Sequence, residues 1–283
     1  MIRLKEYIIR EGGNAVEASP IPAEKAPEIY AAAEKTVHAK YPDMRMTPLG
    51  SCGKKKTGQF NGDIDVAVLT KDKDELVRMV ADCFPGLARN EKTTGSICSV
   101  SWPYEYDGEK RLAQIDFMTV KDIDWAKFYY WSPDFSKDES KYKGALRNAF
   151  LAIVTSEIPV KDMKDEYFDD GRTVRKHWKY TYNSEGLYRQ LVDFTGKTGK
   201  PVKNGKKIKE LETFISAHAD EVVKFIFGPD VSASDVSTAE KIWKLVHDPA
   251  KFRFQEKVPQ IEKRFFDELD LPKYPYRNKE DFR

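Results

Sequence analysis

The segment Gly62-Asp63-Ile64-Asp65-Val66-Ala67-Val68-Leu69-Thr70 constrains this chain more than any other stretch. Its apolar, partly β-branched run predicts a strand over residues 63–70, with two acids at the entrance one residue apart. On a strand, side chains at i and i+2 point the same way, so Asp63 and Asp65 present two carboxylates side by side. Like charges at that separation repel, and one pKa rises. A divalent cation removes the conflict. Hard oxygen ligands suit Mg²⁺, which keeps some waters and takes further oxygens from substrate phosphates. A third acid from another strand admits a second ion. Asp116 is the candidate, in a strand predicted over residues 111–120 on the face shared by Leu112, Gln114 and Met118. Two ions suit an in-line displacement at phosphorus.

Upstream, Gly50-Ser51 ends a short predicted strand over residues 44–51. A glycine turn there lets backbone N–H groups face phosphate oxygens, and Ser51 adds a hydroxyl donor. Lys54, Lys55 and Lys56 follow and can oppose the charge of a triphosphate. Plain alternatives exist for each part: a solvent-facing strand edge, a serine that caps its turn, lysines that coat a loop.

The rest of the chain sets the frame. With 283 residues it can form one large domain or two modest ones, and 40% hydrophobic residues supply a core. A net charge of +2 leaves any nucleic-acid surface to local clustering. Cys52, Cys83 and Cys98 are scattered without a CxxC pair, which argues against zinc and for a reducing compartment. The first residues lack a secretory apolar stretch, and the longest apolar run, residues 149–154, is too short to span a bilayer. The expectation is a soluble, cytoplasmic protein with no membrane partner.

The pattern divides into an arm (1–21), a mixed α/β layer (22–124) and an accessory region (125–283). In the layer, helices are predicted over 22–42 and 73–84, and strands over 44–51, 63–70, 96–106 and 111–120. The accessory region reads as a helix over 139–156, then hairpins turning at Asp170-Gly171 and Ser184-Glu185-Gly186. Helical segments follow over 208–227, 237–247 and 253–269, with a loose tail from Pro272. Lys197, Lys200, Lys203, Lys206, Lys207 and Lys209 cluster in a glycine-bearing loop that is either a solvated hairpin tip or a contact for a DNA or RNA backbone. Arg172, Arg175, Lys176, Trp178, Lys179, Tyr180 and Tyr182 interleave cations with aromatics, a pattern that stacks bases or packs on a core. The histidines, His38, His177, His218 and His247, form no short-range set, and Cys52 reads as a small filler with no base beside it.

Gly50-Ser51, a basic loop, Gly62-Asp63-Ile64-Asp65-Val66 and a later isolated Asp116 together resemble the nucleotidyltransferase superfamily that includes DNA polymerase β. The run is especially similar to the palm of the family X DNA polymerases, and the resemblance covers roughly residues 22–120. It implies a palm with a mixed sheet and flanking helices; with the β-hairpin and helical accessory region read from the residues that follow, the expected fold class is α+β. It implies that Asp63, Asp65 and Asp116 bind two Mg²⁺ and that Gly50 and Ser51 hold the β,γ-phosphates of an NTP. The loop departs from the family in carrying Gly53-Lys54-Lys55-Lys56, and no helix-hairpin-helix module precedes the palm. The function so implied is Mg²⁺-dependent transfer of an NMP from an NTP to a hydroxyl, with a nucleic-acid 3′ end as first choice of acceptor. The alternatives are adenylylation of a small molecule or protein, and an inactive relative serving as a nucleic-acid-binding or structural partner.

Overall fold

Ile64, Val66 and Val68 are fully buried and alternate with Asp65, Ala67 and Leu69 along one strand, so the two faces of the sheet it belongs to have different chemistry. A computed structural model describes residues 15–91, 96–130, 142, 144–271 and 278–282. It divides into two units, Met1–Lys137 and Asp138–Arg283. The division lies beyond the boundary expected at 124/125.

The first unit is built on a five-stranded mixed sheet in the order β2-β4-β7-β6-β5. Its strands are β2 (Met46–Pro48), β4 (Ile64–Leu69), β5 (Arg89–Asn90), β6 (Ile97–Tyr106) and β7 (Glu109–Val120). Among the described residues, only β4 and β7 of this sheet pair in parallel. β6 and β7 form a hairpin through Asp107 (φ 53°) and Gly108 (φ 76°), the left-handed pair that a two-residue turn needs. Two helices cover one face. In α1 (Ala26–His38), Pro27 sits in the first turn and Ile29, Ala33 and Val37 form the buried stripe. In α2 (Lys73–Cys83), the Asp72 carboxylate caps by accepting from Glu75 N–H at 2.9 Å, worth about 1 kcal/mol. Their apolar stripes meet Ile64, Val66, Val68, Val100, Ile115 and Phe117. At one end of the other face, α3 (Ile123–Tyr129) packs Ile123 and Ala126 on Leu49, Ala67, Met118 and Val120.

Of the arm expected over 1–21, residues 1–14 lie outside the described residues, and the remainder is not an arm. Ile21 is fully buried, and β1 (Ile21–Pro22) pairs antiparallel with β3 (Phe60–Asn61). Strands of two residues carry no periodicity, so nothing in the local pattern announces them.

The second unit holds a five-stranded antiparallel sheet: β8 (Glu166–Tyr167), β9 (Val174–Asn183), β10 (Gly186–Thr195), β11 (Pro201–Lys207) and β12 (Thr213–Ser216). The helix α4 (Gly144–Glu157) stacks Phe150 on Phe265 of α7 (Val258–Leu269), with ring centroids 4.0 Å apart. Both α5 (Ala219–Phe227) and α6 (Ala239–Val246) also bury apolar stripes. The helix expected over 208–227 is corrected. A 3-10 turn over Lys209–Leu211 and the strand β12 occupy its first half, and only Ala219–Phe227 is helical. Pairing with β10 overrides the local propensity there. In the tail, residues 272–277 lie outside the described residues, but Lys279–Phe282 is an ordered 3-10 turn. Phe282 is buried 4.9 Å from the Phe265 ring, and Tyr142 Oη donates to Asp281 Oδ2 at 2.6 Å. No helix among the described residues is long and apolar enough to cross a membrane.

Candidate functional site

The parallel pairing of β4 with β7 sets Asp65 directly opposite Asp116. Residues in register project from one face, so the two carboxylates are neighbours on the side of the sheet away from α1 and α2. Asp63 stands immediately before β4. Burial, together with the charges of Asp63 and Asp116, pushes the Asp65 carboxyl from its ordinary range up to about 7. The structure thus sets Asp116 beside Asp65, with Asp63 near enough for its charge to act on Asp65.

The surroundings of Asp116 are polar by design of the alternation. Ser99 of β6 lies opposite it and Ser101 opposite Gln114. Gln114 is buried, and its Nε2 donates to both oxygens of Asp116 at 3.0 Å each. Its Oε1 accepts from Ala15 N–H at 3.1 Å and Val16 N–H at 3.4 Å. Asn90 Nδ2 donates to the Ala15 carbonyl (2.9 Å), Ser101 Oγ to the Glu17 carbonyl (2.6 Å) and Ser19 N–H to the Leu112 carbonyl (2.9 Å). Residues 15–19 are therefore strapped across the sheet at one end of the acidic face, and α3 closes the other end.

Gly50 fills a place that favours glycine. Its φ is +60°, and a Cβ there would come 2.9 Å from Asp65 Oδ2. The turn is anchored by Leu49 N–H, which donates to the Asp65 carbonyl at 2.8 Å. Ser51 Oγ donates to Asn61 Oδ1 at 2.7 Å. Of the three lysines, Lys55 Nζ folds back to the Phe60 carbonyl at 2.5 Å, and Lys56 is exposed. Lys54 lies near Cys52, whose thiol is pushed up to about 11 by burial and by the Asp65 charge, with Lys54 opposing. A thiol held that high is no nucleophile at neutral pH.

The donor set fits a hard divalent cation: three carboxylates, a glycine that leaves room against Asp65, and a repulsion that positive charge would relieve. Among the described residues, no three acidic, histidine or cysteine side chains already stand grouped as a metal cage. Asp116 turns both oxygens toward Gln114.

Other singled-out residues fall elsewhere. Tyr182 is buried with its hydroxyl on Asn148 Oδ1 at 3.2 Å, and Tyr180 packs edge-on to Phe225 with centroids 4.8 Å apart. Trp178 takes the Arg189 guanidinium over its ring at 5.8 Å, and Lys176 pairs with Glu166 at 2.9 Å. His38, His177 and His247 bond respectively to the Met44 carbonyl, Asp165 and Glu262, while His218 begins α5. Lys197, Lys200, Lys203, Lys206 and Lys207 are exposed on the β10–β11 hairpin, with Lys207 on Glu212 at 2.6 Å. Asn61, Ser99 and the strap were not legible as parts of the site. Gln114 could have been found, being two residues before Asp116 on the same face. No protein-family model and no curated protein matches this chain.

Proposed function

We propose that the first unit is a nucleotidyltransferase-type palm that transfers an NMP from an NTP to a hydroxyl and releases pyrophosphate. The observation that carries this reading is the Asp65–Asp116 register, with Asp63 beside it and the Gly50-Ser51 turn pressed against Asp65. Asp63, Asp65 and Asp116 would hold Mg²⁺. When bound, the metal would neutralise phosphate charge and make the acceptor hydroxyl easier to deprotonate. Gly50, lacking a Cβ, lets the backbone come close to the acids, and Ser51 supplies a hydroxyl for a phosphate oxygen. Gln114 orients Asp116 through two hydrogen bonds from its Nε2.

The acceptor favoured is a nucleic-acid 3′ end. Its support is the exposed run of Lys197, Lys200, Lys203 and Lys206 on a hairpin of the second unit, a surface suited to phosphate backbones. The test is incubation with labelled NTPs and Mg²⁺ beside primed oligonucleotides or tRNA. Extension of the nucleic acid is expected. Label on a protein or metabolite instead would move the acceptor, and no incorporation anywhere would remove the enzymatic reading.

A further inference from the structure

The Gly50-Ser51 turn contains an unfinished hydrogen bond. Ser51 Oγ lies 2.7 Å from Asn61 Oδ1, so its proton is committed to Asn61 and only lone pairs face outward. Lone pairs repel a phosphate oxygen. Asn61 itself is 1% exposed, and among the described residues its Nδ2 has no partner. A buried N–H without an acceptor is costly. One movement reverses the Ser51 bond and gives Nδ2 an acceptor, with Oδ1 taking the place that Nδ2 leaves. If the amide turns over, Nδ2–H donates to Ser51 Oγ, and the serine proton is released to point at an incoming anion. The backbone of Asn61 need not move, because pairing with Ile21 and the Ala23 N–H bond to the Gln59 carbonyl (2.9 Å) hold the strand. Gln114 makes the contrast. Its amide is held at both ends, by the strap and by Asp116, and turning it would break every bond it makes.

We propose that Asn61 is the positioning residue that makes Ser51 a hydrogen-bond donor to a phosphate oxygen of the bound nucleoside triphosphate. The inference rests on the nucleotidyltransferase reading given above. Asn61 also lies two residues before Asp63, so one short segment delivers the partner of the phosphate-binding serine and the first acid together.

The test is a double-mutant cycle on the full chain, read as affinity for a non-hydrolysable ATP analogue with Mg²⁺ by calorimetry. The variants are Ser51→Ala, Asn61→Ala and the pair. Each single variant is expected to lose about tenfold, the loss for one charge-assisted hydrogen bond, and the pair no more than either alone. Thermal melts check that each variant folds. If Asn61→Ala does not, Asn61→Asp, which has the same shape but cannot donate when ionised, runs the same cycle. Wild-type affinity in the Asn61 variant, or losses that multiply in the pair, would overturn the inference and leave nucleotide binding intact. If the wild-type chain binds no ribonucleoside triphosphate with Mg²⁺, both the inference and the reading beneath it fail.

Discussion

Asp65 of the first unit and two acids of the second, Asp170 and Asp235, are held in opposite ways. Asp170, in the turn between β8 and β9, accepts from the Thr173 hydroxyl at 2.5 Å and from the Thr173 and Arg172 N–H groups at 2.8 Å each. Those donors, the Thr173 hydroxyl first, hold its carboxyl below the usual range. Asp235 is held low in the same manner by the Ser232 N–H and hydroxyl. Asp65 is instead buried against two more carboxylates and carried up to about 7. Local donors make an acid a structural element. An acid whose neighbours are other acids is held toward its neutral form instead.

That contrast breaks most visibly in turnover. Asp63→Ala and Asp65→Asn should each lower nucleotidyl transfer about a thousandfold, roughly 4 kcal/mol of barrier, with the melting temperature kept or raised. Asp170→Ala should leave turnover unchanged while lowering the melting temperature. Full activity in the Asp65 variant would dissolve the distinction.

Stability against pH sharpens it next. In chelator-treated protein, Asp65 has a folded pKa of about 7, above the ordinary value near 4. The stability it contributes is fully present below the ordinary value and is lost as pH rises through about 7, on the order of a few kcal/mol. Asp170 behaves oppositely: its contribution is present above the ordinary value and lost as pH falls through its depressed folded value. Melting curves from pH 4 to 8 should therefore decline toward the alkaline end, and Mg²⁺ or Asp65→Asn should flatten the decline. A curve unaffected by either would place no strain at the acids.

Gly50→Ala carries a smaller effect. The left-handed backbone costs about 1–2 kcal/mol, and the new methyl group must displace Asp65 Oδ2, which lies 2.9 Å from its position. Turnover and melting temperature should fall together, whereas the same exchange at Gly58, with φ +86° and open space around it, should lower the melting temperature alone. From the side of the second unit, Lys203→Ala and Lys206→Ala should weaken oligonucleotide binding evenly across sequences and reduce the salt slope by about one per lysine. An unchanged slope would make that hairpin an ordinary solvated tip.

Alternation made β4, β6 and β7 readable, and with them the face that Asp65, Gln114 and Asp116 share. Which strand lies beside which was not readable from any local pattern, because register is decided by partners remote in the chain. The Asp65–Asp116 adjacency therefore came only with the fold. Asn61 was invisible because β3 is two residues long, and residues 15–19 because their bonds are made mostly by the main chain, which every sequence has. The region 208–218 misled through Leu211, Phe214 and Ile215, whose spacing resembles a helical stripe although all three are exposed on a turn and an edge strand.

The parallel pairing of β4 with β7 also decides when in folding the acids meet. β6 and β7 can zip from the Asp107-Gly108 turn, but a parallel neighbour is reached only after the long segment between the strands has closed. Until then Asp65 and Asp116 are apart in water and do not feel each other. The step that pairs β4 with β7 therefore also buries the Asp65 carboxyl beside a like charge, and mild acid, by protonating it, should ease that step.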